Sequence, residues 1–352
     1  MSQPSDSLQF ADLTSVSVGG LLNEDVLQKM NDISPRDTPA LDLLGGGTIS
    51  NPYFTWVQDS LTAPTFASKA VDGGSFAPTT ASSGARVGNW AQLSEYGVNV
   101  GDMAEASSTI GRSSELAYQT TKRLAELETN IEASVFSNLP SIAGTTSVAG
   151  QAAGLGAWIE TNTSHGSGGS ANGFNTSTSI VDAPTPGTSR ALTWALISAR
   201  IEAGYLLGAK PTHLVSRPEV TKRLGQYLIG SDFFVAPVAN VAGDRTTDVV
   251  PSGYIDMFKT DFGWIMKIIP SRNMQNVDSA DTNSTADATM LFGIDPQWIE
   301  VPQMWGTRIK ALSADGHYTR RMIQRCWSVR MLLEKAHFAI FDLQPTATVA
   351  AS

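Results

Sequence analysis

Few residues in this chain of 352 stand where chemistry could be done. Gly166, Gly168 and Ala171 have the spacing of a phosphate-cradling loop, in which bare backbone N–H groups approach a pyrophosphate at a helix start. No strand-like run precedes them and no helical period follows, so the spacing reads as chance within a small-residue segment. Gly45, Gly46 and Gly47 read as a flexible bend. Asp278, Asp281, Asn283 and Asp287 carry oxygen ligands but lack the turn glycine and closing glutamate of a calcium loop, and read as a polar loop. His213, His317 and His337 are isolated and read as hydrogen-bonded structural residues. Cys326, the single cysteine, lies beside Trp327 and reads as a small buried hydrophobe, with Arg325 and Arg330 the only argument for a reactive thiolate. No nucleophile elbow, P-loop or His-Glu-x-x-His motif occurs. The chain is therefore expected to be no enzyme and to need no cofactor and no metal.

Charge narrows the partners. With 24 Lys and Arg against 33 Asp and Glu, the net charge of −9 argues against general affinity for a nucleic acid backbone. Residues 1–110 hold 4 basic and 12 acidic side chains, so the imbalance lies in the N-terminal third. The one basic run is 308–335, with seven Lys or Arg against Asp315 and Glu334. Its bland reading is a solvated strand face; its functional reading is a contact with the acidic third of a neighbouring copy, or a weak contact with nucleic acid. The polar start carries no signal peptide and no apolar stretch is long enough for a membrane span, so synthesis in a cytoplasm is expected.

The elements that must position these residues are uneven. Residues 1–50 show no sustained period apart from an amphipathic stretch at 21–30, and read as an arm too apolar to leave in water. Tyr53 to Gln58 and the run 86–100 read as two legs of a hairpin, separated by about 27 residues rich in Ala, Ser, Thr, Gly and Pro, far beyond the usual ~2–5. From a cap at Ser113 or Ser114, Leu116, Leu124, Leu127, Ile131 and Val135 keep one helical face until Asn138 and Pro140. Within 161–190, Gly, Ser, Thr, Asn and Pro make 22 of 30 residues, and 141–190 reads as a surface insertion. A helix, strand, helix series over 192–228 follows, then strands near 254–258, 264–269, 289–294, 306–312 and 318–333. The fold class is α+β.

This order of parts resembles the tailed-phage major capsid fold of the Hong Kong 97 type, shared with encapsulins. Several stretches resemble the SU-ten-like major capsid family: Ile33-Ser34-Pro35-Arg36-Asp37-Thr38-Pro39 and Trp56-Val57-Gln58-Asp59-Ser60-Leu61, then Gly111-Arg112 with Glu115-Leu116-Ala117-Tyr118-Gln119. Ile131-Glu132, Gly154-Leu155 with Trp158-Ile159, the hairpin 254–270 turning at Asp261-Phe262-Gly263, and Lys335-Ala336-His337 complete the set. The resemblance implies an N-terminal arm (1–50), an extended hairpin loop (51–100) and a peripheral domain (101–140 and 300–345) with a spine helix at 113–138. It further implies an axial domain (191–299), while the Gly/Ser/Thr-rich insertion (141–190) has no counterpart in it.

By that resemblance the chain tiles with itself, as pentamers and hexamers, into an icosahedral shell around double-stranded DNA touched only weakly, in a virion assembled in the host cytoplasm. The start at the arm implies a separate scaffold protein; decoration and portal proteins are further expected partners. The expected contacts between subunits are Phe10 and Leu13 in the arm, Trp56, Phe66, Phe76 and Trp90 in the hairpin, and Arg320, Arg321 and Arg325 for ion pairs. Lys69, the only lysine of the reaching loop, is the candidate for a Lys–Asn isopeptide cross-link of the kind some relatives form, against the plainer reading of a solvated side chain. The alternatives are an encapsulin-like compartment, a β-rich surface or tail binding protein, and an enzyme with an inconspicuous site.

Overall fold

The computed structural model describes residues 34–61, 69–75, 83–107, 112–230, 256–274, 289–313 and 316–344, with backbone alone for 226–230. The expected stretch at 21–30, Phe10, Leu13, Phe66, Phe76 and the Asp278–Asp287 group lie outside these residues.

Four strands open the described chain: β1 (Gly45–Thr48), β2 (Tyr53–Gln58), β3 (Ala85–Trp90) and β4 (Gln92–Gly101). The glycine triplet is thus not a bend. It forms an edge strand parallel to a later one, close enough that a Cβ on Gly47 would sit 3.3 Å from Pro302 Cβ. The expected second leg 86–100 is also two strands. β3 closes the hairpin with β2, whereas β4 leaves at Ala91 to join another sheet, after Ala91 N donates to Pro52 O at 2.7 Å.

A short helix α1 (Asp102–Ala106) leads to the rod α2 (Glu115–Val135). Ser114 caps α2 by accepting from Ala117 N at 3.2 Å, and Glu105 of α1 accepts from Leu116 N at 2.8 Å, so two otherwise unpaired N–H groups are satisfied beside a favourable negative charge. α2 buries Leu116, Leu127, Ile131 and Val135. Phe136, fully buried, ends the rod three residues short of the expected 138.

After α2 come α3 (Leu155–Trp158), β5 (Thr163–Ser164), the small hairpin β6 (Gly173–Asn175) and β7 (Ile180–Asp182), α4 (Trp194–Leu206), β8 (His213–Ser216) and α5 (Pro218–Gly230). The expected surface insertion 141–190 is corrected over its first half. Ala152, Ala153, Leu155, Ala157, Trp158 and Ile159 are all buried. The physical reason is size: Gly154 and Gly156 donate to Leu139 O and Ser137 O at 3.0 and 2.9 Å, an approach of backbone to backbone that a Cβ would block.

The remaining strands are β9 (Met257–Lys259), β10 (Ile265–Pro270), β11 (Thr289–Ile294), β12 (Ile299–Leu312), β13 (Tyr318–Trp327), β14 (Arg330–Met331) and β15 (Phe338–Leu343). One sheet runs β1-β12-β13-β4 with β14 on β12; a six-stranded sheet runs β5-β15-β11-β8-β10-β9. β15 belongs to the stretch 300–345, yet pairs with β11 inside the sheet of the 191–299 region, so the pairing crosses that sequence boundary.

The six-stranded sheet separates two cores by its period of two. Leu214, Leu291, Phe338 and Ile340 face α4 and α5, while the alternating Val215, Phe292, Ala339 and Phe341 belong to the core that holds Phe136 at the end of the rod and Trp158 of α3. Strands buried on both faces lose polar alternation, which is why β11 reads Thr-Met-Leu-Phe-Gly-Ile. Gly293 is needed there because a Cβ would fall inside the Phe338 ring across the pair.

Candidate assembly surfaces

The β2–β3 hairpin is bolted to its own body at the root. Trp56 Nε1 and Gln58 Nε2 both donate to the Met331 carbonyl, at 2.8 and 2.9 Å. The Trp56 ring lies 5.2 Å from Trp158, which stacks on Phe174 at 6.0 Å. Asn89, fully buried, donates to Val329 O at 2.8 Å and accepts from Ala153 N at 3.1 Å. Tyr53 and Trp90 pair at 5.0 Å, and the Arg330 guanidinium sits 5.3 Å above Phe54 while pairing with Glu300 at 2.9 Å.

Within one subunit Trp56 and Trp90, expected as contacts between subunits, serve as anchors of the hairpin root. Their size and apolarity suit either role, and only the fold places Met331 and Tyr53 beside them. Among the described residues, the hairpin leaves in water Val57 at 63%, Val71 at 83% and Leu61 at 99% exposure, with Lys69 also exposed.

The basic run divides likewise. Arg325 pairs with Glu128 of α2 at 2.5 Å with its side chain only 12% exposed, an ion pair within one subunit. Thr307 donates to the other oxygen of that carboxylate at 3.1 Å. Arg308 lies over Trp305 and Arg320 over Tyr318, each at 4.3 Å. Arg321 faces Glu105, whose carboxyl is held below its ordinary range first by the Ser114 hydroxyl, then by Leu116 N–H, with Arg321 adding the smallest share. Strand alternation divides the run: through the register Arg308↔Gln324, Lys310↔Met322 and Leu312↔Arg320 the residues Arg308, Lys310 and Arg320 share one side of the ladder, and Arg321 and Arg325 take the other.

A latch that sequence reasoning missed sits at the other end of α2. Glu132 is wholly buried and accepts from Leu41 N at 3.3 Å and from the Ser271 hydroxyl. Asn273 also bonds it, and Asn273 Nδ2 donates to Asp37 O at 3.0 Å. Burial pushes this carboxyl up against the pull of those donors, and Asp42 adds to the rise. The base of the arm, the rod and the loop after β10 thereby meet at one group. Glu132 lies at the margin of the apolar stripe, so no period betrays it; its partners come from 91 and 139 residues away.

The other singled-out residues have structural roles. Gly166 N donates to the Asp342 carboxylate at 2.9 Å and Gly168 turns at φ +83, stitching a loop rather than opening a helix. Cys326 is buried, and burial pushes its thiol up, opposite to an activated thiolate. His337, fully buried, accepts from Asp295 N at 3.2 Å, and burial lowers its pKa to about 3. His213 is lowered by partial burial and then by Lys267. Among the described residues no three His, Cys, Asp or Glu side chains converge as a metal site, and no helix is long and apolar enough to cross a membrane.

A bolted hairpin root, a capped rod and two cores sharing a six-stranded sheet form a scaffold with its apolar extremities outside. Comparison with known proteins agrees. The major capsid protein of Escherichia phage Phieco32 is 30% identical over 105 residues, a match spanning 28% of each chain. The capsid of cyanophage A-1(L) superposes with a TM-score of 0.60 at 13% identity, covering 94% of this chain and 99% of that one. The SrpI encapsulin of Synechococcus elongatus PCC 7942 gives 0.54 at 9% identity, covering 98% and 99%, and the capsid of a GTA particle 0.53 at 10%, covering 93% and 98%. At such identities these likenesses establish the fold, which is Hong Kong 97-like. The SU10 major capsid protein model matches residues 8–344, nearly the whole chain, and the chain belongs to that family.

Proposed function

We propose that copies of this chain tile as pentamers and hexamers into the closed wall of a tailed-phage head around double-stranded DNA, assembled in the host cytoplasm. One observation carries the reading: the hairpin is fixed at its root and extends beyond it with Leu61 and Val71 exposed to 99% and 83%. An apolar extension held out by a rigid root has a purpose when a neighbour lies beneath it. The work is mechanical and requires no catalytic centre. The uneven net charge, −9 overall, suits a lining along which packaged DNA moves without sticking. Lys69 stands in reach of solvent and is available to a neighbour.

Electron microscopy of the purified protein tests this. Icosahedral or tubular shells are expected, and a monomer that persists at high concentration would overturn it. A single band near 37.4 kDa from mature particles on a denaturing gel would remove the Lys69 cross-link.

A further inference from the structure

We infer that α4 of one subunit docks its outer face on the bare face of β9–β10 of the next, making a head-to-tail ring contact between copies. The inference rests on the shell reading and names the surfaces that would execute it. α4 has 13 residues and only two charges, Arg200 and Glu202. Arg200 is turned inward, donating to Thr163 O at 2.8 Å. A helix apolar nearly all round belongs in a core, yet here only Ile197, Ile201 and Gly204 are buried. Its outer side presents Ala195, Ala199, Glu202 and Leu206, the last 80% exposed. The patch continues through Tyr205, which stacks on Phe262 at 4.8 Å, with 44% and 41% of the two exposed. Exposed apolar patches of roughly a few hundred Å² mark docking sites on soluble proteins.

The occupant follows from the opposite side of the same sheet. Phe258 and Met266 point to α4 and are buried. The alternate residues point away: Met257 and Ile265, exposed to 51% and 53%, checkered with exposed Lys259 and Lys267 through the register Ile265↔Lys259 and Lys267↔Met257. Among the described residues, one layer therefore carries two uncovered apolar faces back to back, one with a carboxylate and one with two ammonium groups. Each face lacks self-complementarity and matches the other. Contacts of this heterologous kind propagate and close into rings.

The test uses particles of the full chain carrying Leu206→Cys, Met257→Cys or both, treated with a short bis-maleimide and run on a denaturing gel. The singles are expected to stay monomeric and the double to give a ladder ending at a closed ring; Cys326 is buried and does not compete. Dimers from Leu206→Cys alone, or intact particles of the double variant that yield monomer only, would overturn the ring contact while leaving the shell standing. Glu202→Lys is expected to lower particle yield at least tenfold, with recovery on adding Lys259→Glu and Lys267→Glu. Unchanged yield in Glu202→Lys overturns the pairing, and failure of the parent chain to form particles overturns both readings.

Discussion

The two ends of the β2–β3 hairpin are made of similar residues and do opposite things. At the root, Trp56 meets Trp158 and Met331 and is locked to its own body. Beyond it, Val57, Leu61 and Val71 have comparable hydrophobicity and lie in water. Burial is a property of place: the same transfer free energy holds a subunit together at one end and stays uncollected at the other until a second copy arrives. A shell protein needs both, since a loose root could not transmit a contact made at the tip.

The sharpest way to break this comparison is to hollow out the root. Trp158→Ala removes the ring between Trp56 and Phe174, and is expected to cost about 3–5 kcal/mol in denaturant unfolding of the unassembled subunit. A loss well below that would mean the root is not the anchor. Next comes acid. Because His337 is held near a pKa of about 3 against 6.5 when unfolded, the unfolded chain binds the extra proton between those values. Stability is complete above pH 6.5 and falls as the pH drops toward 3, at up to roughly 1.4 kcal/mol per unit. The denaturation midpoint followed from pH 7 to 4 should show this decline, and His337→Asn should flatten it.

Glu132→Ala leaves the Leu41 N–H and the Ser271 hydroxyl without their acceptor, and is expected to cost about 1–3 kcal/mol. Faster proteolysis at residues 34–41 would register release of the arm's base. The smallest effect on folding belongs to the tip. Leu61→Ser and Val71→Ser should leave subunit stability within about 0.5 kcal/mol while reducing particle yield, and a stability loss matching the root variants would erase the distinction.

Much of the fold was legible because its signals are local. The rod is written in Ser114, Glu115 and one apolar face, and the structure places α2 within two or three residues of the expected ends. The break between β3 and β4 was also legible in hindsight. Val87, Trp90, Leu93 and Tyr96 recur every third residue, and true alternation begins only at Tyr96, Val98 and Val100. What misled was composition: the glycines and alanines around 150–157 look like linker because small residues mark both loops and close backbone packing.

Periodicity, capping and the order of parts, all short-range properties of the chain, determined the α+β class, the rod, the reaching hairpin and the family resemblance. Tertiary structure alone decided which tryptophans are anchors, which arginines are already paired, that Glu132 ties three segments together, and that α4 and β9–β10 leave apolar side chains exposed on both sides of one layer among the described residues. Those facts depend on which distant strands become neighbours, and a residue's chemistry carries no record of the partner that the fold will bring to it.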